Sequence, residues 1–449
     1  MMLAWPSGRF AVARARRAWL LSTGLSCCLL ASPAGSQTLF EAMASAYASH
    51  PALDAQRANL RALDAEVDGA RGGWRPSLSL TGGTGRRIDA YTIDNGPSTS
   101  ADRAMSDVRI RASQPVLNWT AQPTIQAAQA RARQGRADLL GTEQAVLMDV
   151  ATAYLDVLQY RQLLALNEDN ERSLARQVEY RSEYFSQQLG TRTELAQARA
   201  RHAVAVAQLD RIRGELEAAS RAYLRHVGQM PGELLFPEHL PPLPDSLELI
   251  LADASEQFPA VRSAYDGAQA ARADVEIAKG KLKPSVTLEA AGAWARNPTD
   301  QFHSQRDASV QLTLSIPLYE AGVQRAQVRS SAQRAIQLQS QWRDSRLQAR
   351  YDAADAWRLL HAAQAEIEAF NVAIEANKLA YQGVREAHAG LGELTLIEVL
   401  NAKQELFQSE TSLVRARTEA ALSHLRLLAA QGRLTAQGLA LPALRDATR

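Results

Sequence analysis

The sequence predicts a mainly α-helical chain with membrane β: a duplicated repeat, each copy a β-hairpin plus long antiparallel helices. Three observations carry this. Aromatic residues make up only 6% of the 449-residue chain although 46% of it is hydrophobic, a balance suited to long helices packed flank to flank. Two parts of the chain match each other at a nearly constant spacing. Each part also holds two stretches of period-two alternation, about as long as a strand needs to cross a bilayer.

Residues 1–36 read as a signal peptide. Arg9, Arg14, Arg16 and Arg17 precede an apolar run from Ala18 to Leu30 and then the small residues ASPAGS. That is the order of a secretory signal, and the run is too short to span a membrane. Cleavage is expected near Ser36 or Ala34. The only two cysteines, Cys27 and Cys28, leave with the signal, so the exported chain has no disulfide. Losing four arginines and no acid takes the formal net charge from +2 to −2, so no basic excess supports nucleic-acid binding. Every later apolar run is broken by charge, and any membrane passage must fall to strands.

The repeat sets the domain organisation. SHPALDAQRANLRALDAEVDGARGGWRPSLSL, from Ser49, matches QFPAVRSAYDGAQAARADVEIAKGKLKPSVTL, from Gln257; Pro51 pairs with Pro259 and Pro76 with Pro284, both 208 apart. Pro115 pairs with Pro317, Thr191 with Thr395 and Glu194 with Glu398. The first repeat is expected over 37–230 and the second over 246–434. A proline-rich linker joins them at 231–245, and a tail follows at 435–449.

Strands are expected at 76–87, 107–117, 284–296 and 307–318. In the last, Val310, Leu312, Leu314 and Ile316 share one face, while Gln311, Thr313 and Ser315 take the other; a sheet between two different solvents has this pattern. Val108 and Ile110 against Arg109 and Arg111 repeat it. The polar stretches RIDAYTIDNGPSTSADRAM and NPTDQFHSQR read as loops. Trp119 and Tyr319 lie just past two strand ends, where amphipathic rings favour a membrane–water interface. The strands alone are equally compatible with soluble hairpins packed on a helical core.

Long helices are expected over 120–189 and 322–391, each roughly 100 Å at 1.5 Å per residue. Rods of that length need equally long neighbours along their flanks. Pro115 and Pro317 are expected at the strand-to-helix transitions, because proline stops a ladder and suits a helix entry. Gly190 and Gly392 are expected at the tip turns, in the left-handed conformation that ends a helix.

Four membrane strands cannot close a barrel, and an open sheet in lipid leaves edge groups unpaired. The strands must be pooled: two chains give eight and three give twelve, and only the wider barrel holds water. The duplication, the strand-ending SQPVLN and SIPLYEAG, and the turns TRTELAQARAR and GELTLIEVLNAKQEL resemble the TolC family of outer-membrane efflux and secretion channels. The resemblance covers roughly Leu39 to Leu434. It implies a homotrimer with a twelve-stranded β-barrel in the Gram-negative outer membrane, continued by a periplasmic α-helical barrel that holds most of the chain. The implied partners are a periplasmic adaptor (membrane fusion) protein, an inner-membrane ABC or proton-driven transporter, and outer-membrane lipid. TRTELAQARAR, with VGQMPGEL and LPPLP, is similar to the type I secretion branch. The expected function is therefore a passive exit duct of a tripartite type I secretion or efflux system. A periplasmic coiled-coil adaptor is the alternative.

The eight histidines are scattered, with no HExxH and no cysteine partner, so no catalytic, cofactor-binding or metal site is expected. Within the resemblance, the second tip turn carries acidic residues that ring the tunnel entrance. Glu398 holds the first such position and Asn401, a departure, the second. Three Glu398 carboxylates in a narrow mouth would concentrate cations and repel anions. Glu194, the repeat mate of Glu398, lines either the pore or a groove between helices. At the positions of the family's closing tyrosine and arginine stand Ala389 and Leu394. Contacts from Arg192 to Glu194, Glu393 or Glu398 are the expected substitutes.

Overall fold

A computed structural model describes residues 37–92, 98–237, 239–299, 302–390 and 396–441. The expected signal peptide and the end of the expected tail lie outside the described residues. In chain order the elements are α1 (Leu39–Ser49), α2 (Pro51–Arg71), β1 (Ser77–Thr92), β2 (Ser98–Leu117), α3 (Ala121–Ser186) and α4 (Arg192–Val227). The second repeat follows with α5 (Leu247–Gln257), α6 (Pro259–Gly280), β3 (Ser285–Thr299), β4 (Phe302–Ser315), α7 (Val323–Gly390) and α8 (Leu396–Ala430). Pro51 and Pro259 each open their helix, where proline's fixed φ costs nothing and its missing N–H is not needed.

Each long rod is flanked by shorter helices: α3 packs against α2, α4 and α6, and α7 against α6 and α8. Small residues let the helices approach closely. In AQARARQGRAD, Ala128, Ala130 and Ala132 are buried. Between them Arg131, Arg133 and Arg136 reach across to Asp274, Asp266 and Asp64 at 2.7–2.9 Å. Gly135 lies where α2 crosses; a Cβ there would stand 2.5 Å from Leu63 Cδ1.

The main apolar core is a belt around the middle of α3. Leu147, Val150, Tyr154 and Leu155 meet Met43 of α1, Tyr223 of α4 and Leu425 and Leu428 of α8. Burial pushes the Tyr154 hydroxyl up to about 12. Its one O–H is shared between the carbonyl oxygens of Gln37 and Leu235, each 2.7 Å away, and it accepts from Leu235 N–H at 3.0 Å. Among the described residues the proline-rich segment after α4 forms no helix, and such contacts hold it down. Arg161 donates to the carbonyls of Pro231 and Gly232, and His424 Nε2 bonds Pro241 O at 2.7 Å. Ala436, Leu439 and Leu441 pack into the same core, so the chain beyond residue 434, expected to be a tail, stays in the core as far as Leu441.

Ala436 N–H donates to the buried carboxylate of Glu143 at 2.5 Å. Burial pushes that carboxyl above the usual carboxylate range. The folded state therefore holds the proton more tightly, and Glu143's share of stability is greatest below its unfolded pKa and declines as pH rises toward the folded value. Glu143→Gln keeps an acceptor for Ala436 and removes the charge. It is expected to raise the unfolding temperature at pH 8 and leave it unchanged at pH 4, as followed by circular dichroism.

The four strands form one antiparallel sheet in the order β1-β2-β3-β4. They run further than their alternation predicts. β1 continues to Thr92, β2 begins at Ser98, β3 continues to Thr299 and β4 begins at Phe302. Most of the two polar stretches read as loops is thus ladder. Periodicity vanishes where both faces meet water, although backbone pairing persists. β4 ends at Ser315, earlier than expected, because Pro317 has no N–H to continue the ladder. Pro115 lies inside β2, at a register shift between Pro115 and Leu117. It bends the ladder at a bulge two residues before the strand ends and does not terminate it.

Candidate functional site

The sheet's two faces are made for different solvents. Leu80 pairs with Ile110, Ile110 with Gly292 and Gly292 with Ala308. One pleat away, Gly82, Val108, Trp294 and Arg306 lie side by side, and two pleats the other way Leu288 faces Leu312. Leu78, Leu80, Val108, Ile110, Val286, Leu288, Val310, Leu312 and Leu314 therefore form one continuous apolar face. The other face carries Ser79, Thr81, Arg109, Arg111, Thr287, Glu289, Gln311 and Thr313. Val310 is 74% exposed and Leu312 66%, so the apolar face packs on no helix of its own chain. That removes the soluble-hairpin reading, in which it would cover a helical core.

The apolar face has the height of a bilayer. From Leu314 to Arg306 is eight residues, roughly 27 Å along the strand, close to the ~25 Å apolar band of a membrane barrel once tilt is allowed. Aromatic rings stand at both limits. Trp119 lies at the end joined to the helices, with Lys283 Nζ 4.5 Å above its ring, and Tyr319 is exposed nearby. Trp294 and Phe302 stand at the hairpin end. Among the described residues no helix is long and apolar enough to cross a membrane. β1 and β4 are the edges of an open sheet, and lipid tolerates no open edge.

At the opposite end of the rods the chain reverses. α3 closes with Leu189 N–H donating to Tyr184 O and Gln188 N–H to Phe185 O, both at 3.0 Å. The left-handed residue of this cap is Gln188, at φ 64°, and Gly190, expected in that role, does not adopt it. The cause is local: the chain turns two residues early, and the closing hydrogen bonds select the position. Gln188→Gly is expected to stabilise the tip by about 1 kcal/mol, since glycine has no Cβ penalty there. Thermal unfolding of the two proteins checks it. Gly392 and Glu393 lie outside the described residues.

Glu194 is committed to the first turn. Thr191 Oγ1 accepts from Glu194 N–H at 3.2 Å and Glu194 Oε2 accepts from Thr191 N–H at 3.3 Å, a capping box. The same carboxylate lies 3.5 Å from the buried Arg181, whose guanidinium sits over the Tyr180 and Tyr184 rings. The expected Arg192–Glu194 pair is thus replaced by Arg181–Glu194. Among the described residues Arg192 is exposed and forms no ion pair. Glu398 is exposed in the first turn of α8. Asn401 accepts a hydrogen bond from Arg201 of α4 at 3.0 Å, which turns it toward the first repeat.

Sequence reasoning missed a polar clamp just above this tip. In LNEDNERS, Glu168 lies 3.9 Å from Arg213 of α4, Glu171 bonds His202 of α4 at 2.8 Å, and Asp169 meets Lys403 of α8 at 3.6 Å. Burial holds the Lys403 ammonium below the usual lysine range, against the pull of Asp169. With Arg201–Asn401, these contacts tie α8 to the first repeat around a groove of about 440 Å³ lined by Asn170, Leu174, Lys403 and Phe407. The acid-rich turn was the available signal; its partners were not.

The profile of the outer membrane efflux protein family matches residues 42–229 and 250–433. The chain is 30% identical to outer membrane efflux protein BepC of Brucella suis over 90% of this chain and 88% of that one. It is 23% identical to proteases secretion protein PrtF of Dickeya chrysanthemi over 94% of each. Among solved structures, the outer membrane protein VceC of Vibrio cholerae superposes with a TM-score of 0.75 at 20% identity, over 88% of this chain and 96% of that one.

Proposed function

Because the chain belongs to the outer membrane efflux protein family, the TolC-type channels of the Gram-negative outer membrane, we propose that three copies close one conducting duct. The single observation that carries this is the open sheet, apolar over a membrane's height on one face and polar on the other. Three copies supply twelve strands, pairing β4 of each with β1 of the next, and the polar faces then line a water-filled lumen. The rods continue the duct into the periplasm.

The chain acts as an exit duct of a tripartite system, working with a periplasmic adaptor and an inner-membrane transporter that supplies the energy. Type I protein secretion is the assignment favoured within that class, supported by the match to a protease secretion protein along nearly the whole chain. The tip is the part nearest the inner membrane, and the groove between α3, α4 and α8 is the surface offered to an adaptor. At the mouth, Glu398 is the entrance carboxylate and Asn401 steadies α8 against α4.

Single-channel conductance in a planar bilayer, with mass determined in the same detergent, tests the reading. A particle of three chains with a small, cation-selective conductance is the expected result. A monomer with no conductance would overturn it.

A further inference from the structure

The outward face changes character at the hairpin end of the sheet. Trp294 pairs with Arg306, and on the next pleat Arg296 pairs with Ser304 on one side and Ser106 on the other. Arg296 and Arg306 are thus diagonal neighbours, roughly 7 Å apart across the β3–β4 ladder. Both are exposed, as are Trp294 and Phe302 beside them. Among the described residues neither arginine has a carboxylate partner. Arg86, further toward the hairpin end on the same face, is held instead by both oxygens of Asp102, at 2.7 and 2.6 Å. Asp102 is the only acid at an outward position among the described strand residues.

The depth of this pair limits its partner. All four helix-joined strand ends lie at the periplasmic side, so the hairpin end faces outward. An arginine on the lipid face costs about 2–4 kcal/mol at mid-membrane and near zero at the interface, which fits the level marked by Trp294. There a guanidinium meets the headgroups of the outer leaflet. Two unanswered guanidiniums side by side suit a phosphate, which each can grip with two N–H donors. Trp294, level with Arg306 and one pleat nearer the helix-joined end than Arg296, suits the acyl chains of the same molecule.

We propose that Arg296 and Arg306, with Trp294, form a lipid-binding site on the outer wall for the phosphorylated headgroup of an outer-leaflet glycolipid. The site rests on the barrel reading. It gives the barrel a fixed depth and places up to one ordered lipid on each chain.

The test is native mass spectrometry of the detergent-extracted protein incubated with diphosphoryl lipid A or with its dephosphorylated counterpart. The wild type is expected to retain the diphosphoryl form and shed the other. The double variant R296Q/R306Q is expected to retain on the order of tenfold less, while R86Q, whose charge is already answered by Asp102, retains it fully. Equal retention by wild type and double variant, or of both lipids by the wild type, would overturn the site. So would complete displacement by about 10 mM inorganic phosphate, which would mark a bare anion site. Conductance of the same preparations separates the two readings: a failed lipid site leaves it intact, and a failed barrel abolishes it. If the double variant does not assemble, the two-lipid comparison and its loss at high salt on wild-type protein still decide.

Discussion

Leu312→Arg is expected to keep the chain out of the membrane, and Thr313→Arg, one residue along, is expected to be accommodated. Leu312 lies within the apolar face, one pleat inside its helix-joined limit at Leu314 and opposite Leu288. A guanidinium there costs up to about 2–4 kcal/mol per chain, or at most roughly 6–12 kcal/mol over three copies. That is comparable to the whole stability of a typical protein. Thr313 points to the other face, with Thr287 opposite, where water and the neighbouring Gln311 and Glu289 receive a charge. The measurement is insertion into lipid vesicles, scored as protease-protected, heat-resistant oligomer. Equal insertion of the two variants would mean that the exposed apolar face does not touch lipid.

The same pair of residues shows why so much of the fold could be read from the chain. Lipid and water impose opposite demands on alternate residues, so Val310 to Ser315 record their solvent one by one. Asp102 to Met105 belong to the same sheet but lie beyond the apolar face, and they leave no alternation to read. Prolines were legible as interruptions and less so in kind: Pro317 lies beyond the end of β4, whereas Pro115 sits within β2 at a bulge, a choice made by the β3 partner across the ladder. Gln188 could not be found from its own identity, because glutamine has no preference for a left-handed φ; the hydrogen bonds of Leu189 and Gln188 onto the last turn of α3 impose it. The clamp of Glu168, Asp169 and Glu171 was out of reach for another reason. Which carboxylate meets Arg213, His202 or Lys403 depends on the relative rotation and axial shift of three helices, and the partners lie at least 31 residues away.

Glu398 and Glu194 hold equivalent places in the two repeats, and they are expected to respond in opposite ways. Glu194→Ala removes the capping box with Thr191 and the contact to Arg181, at a cost of about 1 kcal/mol to the α3–α4 turn, with ion preference unchanged. Glu398→Ala is expected to lower the cation preference of the duct roughly threefold to tenfold at low salt. Three unit charges about 8 Å from a permeating ion each contribute around 0.5 kcal/mol even in water-like surroundings, and salt screens the sum. TLIE, Thr395 to Glu398, repeats the spacing of TRTE, Thr191 to Glu194, so a capping role competes with the electrostatic one at this position. Glu398→Gln separates them, because the amide still accepts a hydrogen bond at the helix start but carries no charge. Reversal potentials across a salt gradient provide the readout. Loss of preference in both the Ala and the Gln variants would place the carboxylate beside the ion path. A preference that survives both would place Glu398 on the helix cap alone, and the charge at the entrance would have to come from elsewhere on the tip.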